Sequence, residues 1–223
     1  MKVKLINHTP DPDRSAAHAA LTCYREELPV KDEMDDEIIE EILETIKASG
    51  HHSVIEHSSF TFAIQGVSRT LTHQLVRHRL ASYSQQSQRY VDIENFESVI
   101  PKTVKESDEG EEIFSDFMEE VKKTYVKLKD IDGVELEDAR YVLPNATKTN
   151  IIVTMNAREL WHFFSLRCCK RAQWEIRELA NKMLKLVKEV APIIFEEAGA
   201  PCIRGPCPEG EFSCGEPISK DGM

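Results

Sequence analysis

Apolar residues recur along this chain in two rhythms, one of two residues and one of three to four. The opening "KVKLINHT" reads as a first strand, and "DPDRSAAHAALTCYR" follows with helix-starting acids and a helix-forming run. "DEMDDEIIEEILETIKASG" has the period of an amphipathic helix: Met34, Ile38, Ile42 and Ile46 recur at four-residue spacing. Gly50 stands where a C-terminal cap belongs. After a loop, "HHSVIEH", the stretch "SFTFAIQ" sets Phe60, Phe62 and Ile64 against Thr61 and Ala63, as a half-buried strand does. "VSRTLTHQLVRHR" then returns to a helical period, which carries Gln74, Arg77 and His78 on one face.

Further along, a long helix is expected from about Glu109 to Asp130, stopped at the Asp132-Gly133 turn. "VELEDARYVLP" reads as a short helix ended by Pro144, and "TNIIVTMNA" as a buried strand. "RELWHFFSLR" and "RAQWEIRELANKMLKLVKEVAPIIFEEAG" supply the C-terminal helices. Strands separated by helices of unequal length, with no regular βαβ rhythm, predict an α+β fold. The expectation is a single domain over residues 1–200, with a mainly antiparallel sheet packed against helices. Residues 201–223 form a Cys/Pro/Gly-rich tail expected to be poorly ordered. The acidic run from Asp32 to Glu44 is a solvated helix face, and Trp161, Phe163, Phe164 and Trp174 are core.

Charge narrows the functional classes. A net charge of −11 over 223 residues argues against a general binder of nucleic acid or anionic membrane, since both need a broad positive face. Any basic cluster is therefore local, as for a small anionic ligand. No run approaches the roughly 18 apolar residues of a membrane span, and the N-terminus lacks a signal-peptide core, so a cytoplasmic protein is expected. The six cysteines then read as reduced thiols.

Against that acidic background stands "RHRLASYSQQSQRY", residues 77–90. Three of its first positions are cationic, and Ser82, Ser84, Gln85, Gln86, Ser87, Gln88 and Arg89 offer donors suited to phosphate and ring carbonyls. Two readings stand: a basic helix end complementing the dipole, or two ligands meeting at a helix end. Ser87 lacks the glycine-flanked elbow and acidic partner of a nucleophile. A second cluster, "NARELWHFFSLRCCKRAQWE", puts Arg158 and His162 on one face behind a capping Asn156, and Arg140 adds a cation before Pro144. "HHSVIEH" lacks the order of a helical zinc site, so no metal is expected there. No GxGxxG and no P-loop occurs, so any nucleotide is held by side chains.

Arg77-His78-Arg79, seven residues and Ser87 together resemble the RHR-x7-S signature of the flavin-dependent thymidylate synthases. "GHHSVIEH" is similar to that family's GHxxxxEH segment, "ARYVLP" to its arginine-before-proline element, and "NAREL…LR…AQWEI" to its C-terminal signature. The elements run in order from Gly50 to Ile176.

The resemblance implies synthesis of dTMP from dUMP, with 5,10-methylenetetrahydrofolate as carbon donor and NADPH as reductant acting through FAD. It also implies a homotetramer with active sites shared between subunits. It places flavin at Ser53, at Arg77, His78 and Arg79, at Gln85, at Asn156, Ala157 and Arg158, and at His162. It places dUMP at Gln74, Leu75, Val76 and Arg77, at Gln85, Gln86, Ser87, Gln88 and Arg89, and at Arg140 and Arg167. Arg167 matches the arginine that favours ionised uracil N3, and so is the catalytic group. Ser87 matches a binding serine, because in this family reduced flavin replaces a protein nucleophile. Ser84-Gln85 departs from the Asn-Glu of many relatives, exchanging a carboxylate for an amide. His162 and Arg171 stand where some relatives have Asn and His. Cys202, Cys207 and Cys214 lie outside the resemblance, at C-x4-C-x6-C spacing with no second CxxC pair. Rival readings are a nucleotide-binding module without turnover and a nucleic-acid binder, the latter disfavoured by charge.

Overall fold

The computed structural model describes residues 1–27 and 34–218. In chain order the elements are β1 (Lys2–His8), α1 (Pro12–Thr22), α2 (Asp36–Ser49), a 3-10 helix (His52–His57), β2 (Ser59–Ser68), α3 (Arg69–Leu75) and β3 (Ala81–Gln85). There follow α4 (Lys102–Lys105), α5 (Asp108–Lys129), α6 (Leu136–Ala139), β4 (Lys148–Asn156), α7 (Ala157–Arg167), α8 (Trp174–Val190) and α9 (Pro192–Phe195). The strands form one antiparallel sheet in the order β1-β2-β4-β3, so the class is α+β as expected. Pairing of β2 with β4 puts Thr61 Oγ1 2.9 Å from Thr154 Oγ1, a cross-strand hydroxyl pair.

By contacts the chain divides into two compact units. One comprises Met1–Lys2, Ile64–Leu75 and Ser84–Ile151. Its apolar cluster of Phe96, Met118 and Val121 is flanked by Ile93, Phe114, Leu143 and Ala146. The other comprises Val3–Ala63, Val76–Tyr83 and the residues from Ile152 onward. Its core is aromatic: Phe60 meets Phe195 edge-on at 5.4 Å, and Phe164 meets Phe163 at 5.7 Å and Phe195 at 5.9 Å. Asp13, buried at the start of α1, accepts the amides of Ile193 and Ile194 at 3.0 Å each, which ties the first turn of α9 to α1.

Four features differ from the sequence expectation. On α2 the buried residues are Ile39, Leu43 and Ile46, whereas Ile38 is 40% exposed. Adjacent apolar pairs, Ile38-Ile39 and Ile42-Leu43, permit two rotations of this helix, and packing against α1 and α9 selects one. Asp32 and Glu33 of the acidic run lie outside the described residues. The "HHSVIEH" loop is a 3-10 helix. Helix α3 stops at Leu75, so Arg77, His78 and Arg79 are not on a helix and Gln74, Arg77 and His78 share no helical face. The cause is tertiary: the Tyr83 hydroxyl donates to the His78 carbonyl at 2.7 Å while the His78 ring is buried. Finally "ASYSQ" forms β3, a polar strand that periodicity did not signal. Residues 201–218 hold two short 3-10 turns, with Ile203 buried.

Candidate active site

Helix α7 is the scaffold of the first cluster. Asn156 caps it, its side chain accepting the Glu159 amide at 2.9 Å, and this sets the rotation of every following residue. Glu159, Phe163 and Arg167 are then four apart and form one stripe. The His78 ring lies along that stripe. Its Nδ1 is 3.2 Å from Glu159 Oε1, its ring and that of Phe163 meet in a T-shaped contact with centroids 4.9 Å apart, and its Nε2 is 3.1 Å from Arg167 Nε.

The protonation pattern follows from the donors. Arginine Nε is always an N–H donor, so His78 Nε2 accepts and the single proton of neutral imidazole resides on Nδ1, donated to Glu159. Burial, then Arg167, then His162 push the His78 pKa down to about 4, which keeps the ring neutral near pH 7. Burial raises the Glu159 carboxyl, with His162 pulling it back down. Burial and then Glu159 raise the Tyr83 phenol, which remains a donor to the His78 carbonyl. Arg167 spends only Nε on the protein: among the described residues neither of its Nη atoms has a protein partner. Its two terminal amino groups form a planar fork left for a ligand.

Other predicted residues of this unit are placed differently. Arg77 and Arg79 are exposed and pair with no acid among the described residues. Arg158, also exposed, pairs with Glu56. Ser53, on the 3-10 helix, and His162 are exposed, Val76 is 41% exposed, and Ala157 is fully buried.

The other unit holds the remaining predicted positions. Gln85 donates weakly, at 3.3 and 3.4 Å, to the hydroxyls of Thr72 and Thr149. Gln74 is half-buried, Leu75 fully buried and Gln88 buried. Gln86 accepts from Asn150 Nδ2 at 3.3 Å. The Ser87 hydroxyl accepts the Arg89 amide at 3.1 Å, which closes its own turn rather than pairing with a base. Arg89 is ion-paired with Glu137, and Arg140 Nε donates to the Glu137 carbonyl at 2.9 Å. Beside them Arg69 has a buried Nη1 without an acceptor, and burial followed by the charge of Arg140 lowers its pKa. A buried guanidinium donor within electrostatic reach of a second cation is suited to an anion.

Glu159, Tyr83 and Arg69 escaped the sequence reading. For Glu159 a signal was available: it stands four before Phe163 and eight before Arg167 in a helix whose cap is legible. Arg69 and Tyr83 carry none, because their roles arise from residues distant in sequence. Among the described residues no three His, Cys, Asp or Glu are grouped to hold a metal.

The family model described as "Thymidylate synthase complementing protein" matches residues 4–193. The chain is 54% identical over 226 residues to the flavin-dependent thymidylate synthase of Geobacter sulfurreducens, covering 97% of this chain and 94% of the relative. The chain belongs to that family. It is also 49% identical to the flavin-dependent thymidylate synthase of Clostridium tetani, over 97% of this chain and 94% of the relative. For that of Pyrococcus abyssi the identity is 46%, over 95% and 91%. The family is one of methyltransferases. The matched residues take in both clusters, from Arg69 and Gln85 to Glu159 and Arg167.

Proposed function

We propose that this protein methylates dUMP to dTMP reductively. It takes the carbon from 5,10-methylenetetrahydrofolate and electrons from NADPH through bound FAD, as a cytoplasmic homotetramer with sites shared between subunits. The observation that carries this reading is Arg167. Its Nε is anchored on a neutral histidine and its two Nη groups are unspent, so it offers a planar pair of donors to a planar acceptor. An ionised uracil imide presents such a pair, a ring nitrogen beside a carbonyl oxygen. Stabilising that anion raises electron density at C5, the carbon to be alkylated.

The donor set also fits the flavin. Arg77 and Arg79 are exposed cations with no acid partner among the described residues, which suits a pyrophosphate. Ser53, Gln85, Asn156, Ala157, Arg158 and His162 are the further residues that would hold FAD. When bound, FAD supplies two-electron reducing chemistry that no side chain can. Arg69, with its buried Nη1 unpartnered, and the nearby charge of Arg140 suit the phosphate of dUMP, with Gln74 to Arg77 and Gln85 to Arg89 completing its contacts. Arg89 must exchange Glu137 for the ligand to take part.

The decisive experiment measures tritium release from [5-³H]dUMP with methylenetetrahydrofolate and NADPH, on protein whose flavin absorbance dUMP perturbs. Flavin and dUMP binding without release would leave a binding module in place of an enzyme. Affinity for nucleic acid that falls steeply with salt would favour the other rival.

A further inference from the structure

Glu159 is buried, with 6% of its surface exposed, and carries a carboxylate into an aromatic core. Burying a carboxylate is costly unless something uses it. Its backbone amide is satisfied by the Asn156 cap, and its side chain spends one oxygen on His78 Nδ1. His78 in turn spends its other nitrogen on Arg167 Nε. The three groups therefore form a directed chain of carboxylate, imidazole and guanidinium, with every ring nitrogen of His78 used within it. Arg167 Nε and Glu159 agree on the proton's place at Nδ1, and Glu159 is its acceptor in the protein. We propose that Glu159, acting through His78, sets the direction in which Arg167 presents its free Nη edge, and so is a positioning residue for the activation of the pyrimidine.

Without the carboxylate, the buried Nδ1–H has no acceptor. The imidazole then gains by rotating or by moving its proton to Nε2. Either change removes the acceptor of Arg167 Nε, and the guanidinium loses its fixed plane. Phe163 alone does not prevent this, because an edge-on ring contact has no polarity that distinguishes the two tautomers. At metal centres, a carboxylate that orients a ligating histidine is worth about 10- to 100-fold in affinity or activity, and the same scale is expected where the histidine orients a guanidinium.

The inference rests on the proposed role of Arg167, and the experiment separates the two. The variants are Glu159→Ala, Glu159→Gln and Arg167→Ala, with the double variant Glu159→Ala/Arg167→Ala, each compared at equal flavin occupancy. The readouts are kcat and KM for dUMP, and the binding preference for 5-fluoro-dUMP, whose N3 ionises more readily than that of dUMP. A correctly presented Arg167 rewards the ionised imide, so the unsubstituted protein prefers the fluorinated ligand. Glu159→Ala is expected to lower kcat by about 10- to 100-fold and to shrink that preference. Glu159→Gln keeps an acceptor oxygen of the same reach and is expected to recover much of both. In the Arg167→Ala background, removing Glu159 is expected to cost little more.

If Glu159→Ala costs as much without Arg167 as with it, or lowers kcat while leaving the fluoro preference intact, Glu159 is merely structural and the positioning role is overturned. Normal kcat in both Glu159 variants overturns it too. If Arg167→Ala itself turns over normally, the failure lies in the reading of Arg167.

Discussion

The neutral state of His78 has a measurable thermodynamic consequence. Its pKa is held at about 4 by burial, by Arg167 and by His162, against about 6.5 for an unhindered histidine. Because the folded-state value is the lower one, the unfolded chain takes up a proton first as the pH falls. Above pH 6.5 neither state is protonated at this residue and there is no penalty. Between pH 6.5 and about 4 stability drains away at about 1.4 kcal/mol per pH unit, reaching about 3 kcal/mol below pH 4. Glu159 works in the opposite sense, since its raised folded-state pKa makes the native protein the better proton binder as acid is added. Glu159 is unchanged in the variant that isolates the His78 contribution. His78→Gln removes the titrating ring while retaining one donor for Glu159 and one acceptor for Arg167. The variant should match or fall slightly below the unsubstituted protein at pH 7.5 and overtake it towards pH 4. At about 2–4 °C of melting temperature per kcal/mol for a chain of this size, the gap should close or reverse by about 6–12 °C. Thermal melts of both proteins across pH 4 to 7.5, at matched flavin content, read it directly. Parallel profiles over that range would refute the reasoning, because they would mean the buried ring is not held neutral.

Two further outcomes follow from other sites. Arg69→Ala and Arg140→Ala should each raise the dissociation constant for dUMP by about 10- to 100-fold, the effect of one charge-assisted phosphate contact. Calorimetry showing unchanged affinity in both would move the phosphate elsewhere. Asp13→Ala strands the buried Ile194 amide, at about 1–3 kcal/mol, and the part-buried Ile193 amide, at the lower end of that range. The expected fall in urea stability is several kcal/mol with little change in flavin-bound activity, and a loss below about 1 kcal/mol would show that water or a shifted α9 satisfies them.

Much was legible in the sequence by itself. The α+β class, the half-buried β2, the long α5, and α7 with its Asn156 cap all follow from period and capping, because these depend on residues within a few positions of one another. The motifs that carry the family likeness are also local, and they named Arg167 and the RHR triplet before any fold was known. The tertiary structure decided what depends on distant partners. It chose the Ile39/Leu43/Ile46 face of α2 over the Ile38/Ile42 face that four-residue spacing predicts. It ended α3 at Leu75 and turned His78 inward, although the run through Arg79 has a helical period. It paired a polar segment as β3, where backbone hydrogen bonds outweigh a pattern with no apolar alternation. Above all it joined His78 to Glu159, 81 positions away, and to Arg167, 89 positions away. In a helical wheel Glu159 is only a carboxylate on an apolar face. What gives it a chemical purpose is the imidazole laid along that face by a turn from elsewhere in the chain.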